Sequence, residues 1–86
     1  MKINGKIIRE TKIVRNASYE NRADKTAFND RMEDCLINIC RELEMPVPLW
    51  LDKNTKAFVR FKRTNFDRDQ FMETVNFDRL EIRVDI

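Results

Sequence analysis

Five cations, Lys53, Lys56, Arg60, Lys62 and Arg63, fall within eleven consecutive residues that contain no acid. Lysine and arginine at that density can neutralise phosphates, and an aromatic side chain among them can stack a base. Phe58 is such a residue. Read as a strand, Lys56 to Thr64 places Phe58, Arg60 and Lys62 on one face and Ala57, Val59 and Phe61 on the other. Lys53, Lys56, Phe58, Arg60, Lys62 and Arg63 are therefore the candidate face for an anionic partner, single-stranded nucleic acid being the form that uses the ring. The same charges also guard a strand edge against aggregation.

Other chemistries find less to work with. The chain has no His and a single Gly, so Ser–His and Cys–His pairs are absent and no glycine loop can cradle a phosphate. Carboxylates gather at Asp67, Asp69 and Glu73 and at Asp30, Glu33 and Asp34. That pattern is shared by metal sites and by solvated helix faces or helix N-terminal turns. Cys35 and Cys40 are five apart on a helix, roughly 8 to 9 Å between Cα atoms by helical rise and radius, which is beyond disulfide reach. With no second pair of ligands they read as small buried hydrophobes. No catalytic residue, metal or cofactor is assigned, and a non-enzyme is expected.

Two apolar residues stand apart from the expected core. Trp50 follows the stiff segment Pro46-Val47-Pro48, and Ile37 falls on the polar side of the long helix. An exposed Trp or Ile beside charges can anchor an interface, whereas a lone Trp after a helix usually closes the core of a small domain. The leading expectation is an interaction or accessory module that binds an unidentified protein partner or itself. Nucleic-acid binding through Lys53 to Arg63 is the second.

Such residues need a scaffold, and 86 residues suffice for one core, so residues 1–86 are expected to form a single domain. The formal charge of +2 conceals blocks: five basic and one acidic residue in 1–18, four and eight in 19–52, five and none in 53–63, three and six in 64–86. No run approaches the roughly 20 apolar residues of a membrane span, and Met1 to Gly5 lacks the apolar core of a signal peptide. A cytoplasmic protein without membrane partners is expected.

The strongest periodicity is helical. Phe28, Met32, Cys35, Leu36, Ile39, Cys40 and Leu43 make one apolar stripe, opposite Asp30, Arg31, Glu33, Asp34, Asn38, Arg41 and Glu42. Asp24 or Thr26 supplies its N-cap, and Pro46 ends it by excluding Met45 from the α region. Before it, Ile7-Ile8 and Ile13-Val14 read as a hairpin centred on Glu10 and Thr11, with Ile8 opposite Ile13 and Ile7 opposite Val14. After it come a short edge strand at Leu49 to Leu51, a turn at Asp52 to Thr55, the basic strand, and a short helix from Asp67 to about Thr74. That helix opens with Asp67 and Gln70 at capping-box spacing. Leu80, Ile82, Val84 and Ile86 then alternate with charged residues as a half-buried strand. Asn65-Phe66-Asp67-Arg68 recurs as Asn76-Phe77-Asp78-Arg79, two boundary phrases in which Phe anchors the core.

Ala57-Phe58-Val59-Arg60-Phe61 resembles the second half of the RNA-recognition-motif signature, which lies on that fold's third strand; Asn54, Thr55 and Lys56 stand where the family has a basic residue, a glycine and its first stacking aromatic. The segment Pro46 to Asp52 and the phrase Asn76 to Arg79 also resemble short uncharacterised bacterial proteins, a likeness that implies no functional residues. The reading is an α+β domain in the order β-β-α-β-α-β, a mainly antiparallel sheet on one long helix. A ferredoxin-like βαββαβ arrangement is the alternative.

Overall fold

The computed structural model describes residues 2–20 and 28–85. Four strands, β1 (Lys2–Arg9), β2 (Lys12–Glu20), β3 (Arg63–Asp67) and β4 (Arg79–Asp85), form one antiparallel sheet in the order β2-β1-β4-β3. Two helices, α1 (Phe28–Glu42) and α2 (Asp52–Phe61), lie between the two hairpins in the sequence. The class is α+β, as the sequence indicates. The element order is β-β-α-α-β-β, which corrects both the β-β-α-β-α-β order and the ferredoxin-like alternative.

The first hairpin turns at Glu10 and Thr11, both with positive φ (52° and 66°), as a two-residue turn between twisted strands requires. Neither is glycine. The Asp78 carboxylate accepts the Glu10 N–H at 2.8 Å and Asp78 N–H donates to Ile8 O at 2.9 Å, so β4's leading loop holds the turn in place. Ile8 faces Ile13 as the sequence indicates, but an extra residue follows and Ile7 faces Arg15 rather than Val14. That bulge and the charges of Lys12, Arg15 and Glu20 blunt the outer edge of β2.

The helical stripe is buried from Met32 through Cys35, Leu36, Ile39, Cys40 and Leu43. It packs on Ile3, Ile7, Leu80 and Ile82 of the inner strands. Gly5 lies where α1 crosses β1: a Cβ there would sit 2.5 Å from Ile39 Cγ2, so only glycine allows the approach. α1 closes through Glu44 in the left-handed region (φ 55°), with Met45 N–H donating to Cys40 O and Glu44 N–H to Arg41 O. Arg15 of β2 donates to Leu43 O at 3.1 Å, and Tyr19 O–H to Asp34 Oδ2 at 3.1 Å. The expected N-caps Asp24 and Thr26, and the strand's last residue Ile86, lie outside the described residues.

Lys56 to Thr64 is not a strand. Asp52 to Phe61 is helical because Asn54 and Phe58, one turn apart, point together into the core, 1 % and 2 % exposed. Lys62 then takes a left-handed conformation (φ 61°), its N–H returning to Phe58 O at 2.9 Å, and β3 begins at Arg63. Thr64 and Phe66 of β3 face inward. The expected helix after Asp67 reduces to one 3₁₀ turn, Arg68–Gln70, and Leu49 to Leu51 has no regular structure. The two echo phrases meet: Phe66 and Phe77 are buried, Asp67 faces Arg79 in the β3–β4 register, and Arg68 pairs with Asp78 at 2.8 Å.

Candidate functional site

A groove of about 500 Å3 runs between α1 and the segment 47–52. Ile37 and Leu36 form one wall, Val47 and Leu49 the other, and Trp50 lies against it. Ile37, Val47 and Leu49 are 38 %, 45 % and 48 % exposed, a concentration of apolar surface on facing walls. Glu33 and Asp52 also line it, and among the described residues no Lys or Arg does. The two sequence candidates Trp50 and Ile37 are thus brought to the same place from either side of Pro46.

Trp50 is half-buried, packed on the core from one side and lining the groove from the other. Its indole N–H donates to Thr55 Oγ1 at 2.7 Å, and its ring lies 6.0 Å from Phe58 and 5.5 Å from Phe66. Anchored on the core side, it still contributes to the groove.

The groove's second wall is held by a buried amide pair that sequence reasoning overlooked. Asn54 Nδ2 donates to Thr64 Oγ1 at 2.8 Å and to Asn65 O at 3.0 Å, while Asn54 Oδ1 accepts Leu51 N–H at 2.9 Å and Gln70 Nε2 at 2.8 Å. Gln70 Nε2 also reaches Leu49 O at 3.1 Å, and Leu49 N–H donates to Gln70 O at 2.7 Å. Every hydrogen-bonding position of Asn54 is used, which makes its burial affordable and rigidifies Leu49 to Asn54. The signal available was the Asp67–Gln70 capping spacing, where Gln70 Oε1 does accept Asp67 N–H at 3.2 Å.

The basic candidates divide. Phe58 is buried against Trp50, so it leaves the face it was expected to share with Arg60 and Lys62, and the resemblance to the RNA-recognition motif falls on a helix where that family has a strand. Lys53, Lys56 and Arg60 fall at three- and four-residue steps along exposed α2, Lys53 3.7 Å from Asp67. Lys62 and Arg63 follow at the turn into β3. Phe61, not Phe58, is the exposed ring.

A second hollow, of about 510 Å3, lies between the first hairpin, the end of α1 and Thr74 to Phe77. Arg15 in its lining is committed to Leu43 O. Cys35 and Cys40 are buried and not in a disulfide, and burial pushes the Cys40 thiol up to about 12. The hydrogen bond to Asp34 raises the Tyr19 hydroxyl, with desolvation adding to it. Among the described residues no three of Cys, Asp and Glu converge on a point that a metal ion could occupy, and no helix is long and apolar enough to cross a membrane.

No family model, curated protein or solved structure matches this chain.

Proposed function

We propose that the protein is a non-enzymatic interaction module of the cytoplasm that holds a partner's apolar, basic segment in the groove between α1 and Val47 to Trp50. What carries this reading is that Ile37, Val47 and Leu49 remain substantially exposed while lining a single hollow. Charge selects the occupant: the acids Glu33 and Asp52 border the apolar walls, so Lys or Arg flanking two or three apolar side chains complements them. Covering the three half-exposed aliphatics supplies about 1 kcal/mol each, half of what full burial of such a side chain gives. The affinity is therefore modest, and a partner must add backbone or charge contacts to bind tightly.

Selection of peptides from a displayed random library tests the reading, with Trp50, the single tryptophan, as fluorescent reporter. Selected peptides are expected to combine apolar residues with Lys or Arg, to shift Trp50 emission, and to lose binding to Ile37→Asp and Leu49→Asp. Peptides that bind both variants as well as the parent would overturn it. So would a concentration-dependent dimer abolished by Ile37→Asp, which would make a second copy the occupant.

A further inference from the structure

The sheet face turned away from the helices carries its charges in a pattern with one violation. Cross-strand partners share a face, and there Lys2 stands opposite Asp85, Lys6 opposite Glu81 and Arg79 opposite Asp67. Arg63 alone among the described residues of this face stands opposite a like charge, Arg83. Like charges directly opposed on adjacent strands are destabilising. Two exposed guanidiniums repel only weakly through water, so the pair gains its meaning from what surrounds it.

Lys62 precedes Arg63, and its carbonyl accepts the Val84 N–H at 2.9 Å, which sets the turn after α2 beside Arg83. Phe61, one residue further back, is 59 % exposed, with the Arg60 guanidinium 5.4 Å from its ring centroid. Arg60 of α2, Lys62 of the turn, Arg63 of β3 and Arg83 of β4 thus gather at the corner that follows the exposed Phe61, with Arg60 over its ring. No ion pair ties Lys62, Arg63 or Arg83 among the described residues, whereas Lys53 and Arg68 are each held by an acid. Two acids flank Arg83 along β4, two residues to either side: Glu81 faces Asn65 on β3, and Asp85 stands opposite Lys2 in the β1 register.

We propose that this corner, Arg60, Phe61, Lys62, Arg63 and Arg83, binds single-stranded nucleic acid, a base stacking on Phe61 and backbone phosphates lying between the cations. A phosphate placed between Arg63 and Arg83 removes the repulsion that the register imposes, and the ring gives a strand something that a simple anion does not use. The surface is separate from the groove between α1 and Val47 to Trp50, so neither proposal depends on the other.

Fluorescence anisotropy of a labelled ten-nucleotide oligo-dT with the full chain, at 50 and 200 mM salt, reads the proposal. Four phosphate contacts give a slope of about −2.8 in log affinity against log salt, a loss of roughly 50-fold across that range. Arg63→Gln and Arg83→Gln should each weaken binding and reduce the slope by about 0.7. Phe61→Ala should weaken it about tenfold with the slope unchanged. Both arginine variants should unfold at a urea concentration no lower than the parent at low salt, since each removes the like-charge contact. Absence of binding at 50 mM salt would overturn the proposal, as would binding indifferent to Phe61 and Arg83. Equal or tighter capture by phosphatidylserine vesicles, insensitive to Phe61→Ala, would assign the corner to an anionic lipid surface instead.

Discussion

Replacing Gly5 by alanine tests how closely α1 is seated on the sheet. The new Cβ would lie 2.5 Å from Ile39 Cγ2, 3.4 Å from Ile82 Cδ1 and 3.7 Å from Leu43 Cδ1. Cγ2 is attached directly to Ile39 Cβ, and a β-branched residue in a helix holds essentially one χ1 rotamer, so it moves aside only against that preference or with the helix itself. Overpacking of this kind costs about 1–3 kcal/mol. The opposing gain, from a less flexible unfolded chain, is about 0.4–1 kcal/mol. Gly5→Ala should therefore destabilise by about 1–2 kcal/mol, read as a lower urea midpoint at unchanged m-value. Ile39→Leu keeps the volume but removes the branch at Cβ. In that background Gly5→Ala should cost less, a coupling of about 1 kcal/mol in a double-mutant cycle. A neutral or stabilising Gly5→Ala, or strict additivity with Ile39→Leu, would refute the close helix–sheet contact at this position.

Asn54→Ala strips Leu51 N–H, Gln70 Nε2, Thr64 Oγ1 and Asn65 O of a partner; at about 1–3 kcal/mol per buried orphan, a loss of about 3 kcal/mol or more is expected in urea unfolding, and a loss under about 1 kcal/mol would contradict the network. Asp78 is held below the ordinary aspartate range by the Glu10 N–H, with Arg68 also lowering it against a desolvation cost. Its lowered folded value means a contribution to stability that is complete above the unfolded-state value and lost as pH falls through the folded one. Asp78→Asn should accordingly flatten the acid limb of the stability-against-pH curve, and an unchanged limb would exclude it as a source. Cys40, pushed up to about 12 by burial, should resist a thiol-specific disulfide reagent at pH 8 until denaturant opens the core; reaction at a rate typical of an exposed thiol would show the core to be open.

Residues with a single dominant reason for their placement were legible in the sequence. The α1 stripe, the β4 alternation and the Ile8–Ile13 pairing are each set by apolar burial at a regular period, and the structure reproduces them from Met32 to Leu43, from Leu80 to Val84 and in the hairpin register. The α2 helix was not legible because its inward positions are Asn54 and Phe58, and a buried asparagine is invisible to a hydrophobic count. Its exposed positions include Val59 and Phe61, so the outer face imitates a strand's alternation. The register slip at Val14 has no marker in residue type, and the Gln70–Asn54 pair joins residues sixteen apart. Trp50 and Ile37 were singled out one at a time, but their shared groove depends on the chain's path through Pro46 to Leu49, which no periodicity encodes. Arg83 was missed for the same reason: only the β3–β4 register sets it opposite Arg63.

The interaction groove is tested most directly by an NMR titration of the full chain, with labelled methyl groups, against a peptide selected from the displayed library. Shifts and intermolecular contacts are expected at the methyls of Ile37, Val47 and Leu49 and at the Trp50 indole N–H. Peptide contacts confined to the outer edge of β2 or to the hollow beside Arg15, with Ile37 and Leu49 unmoved, would contradict it.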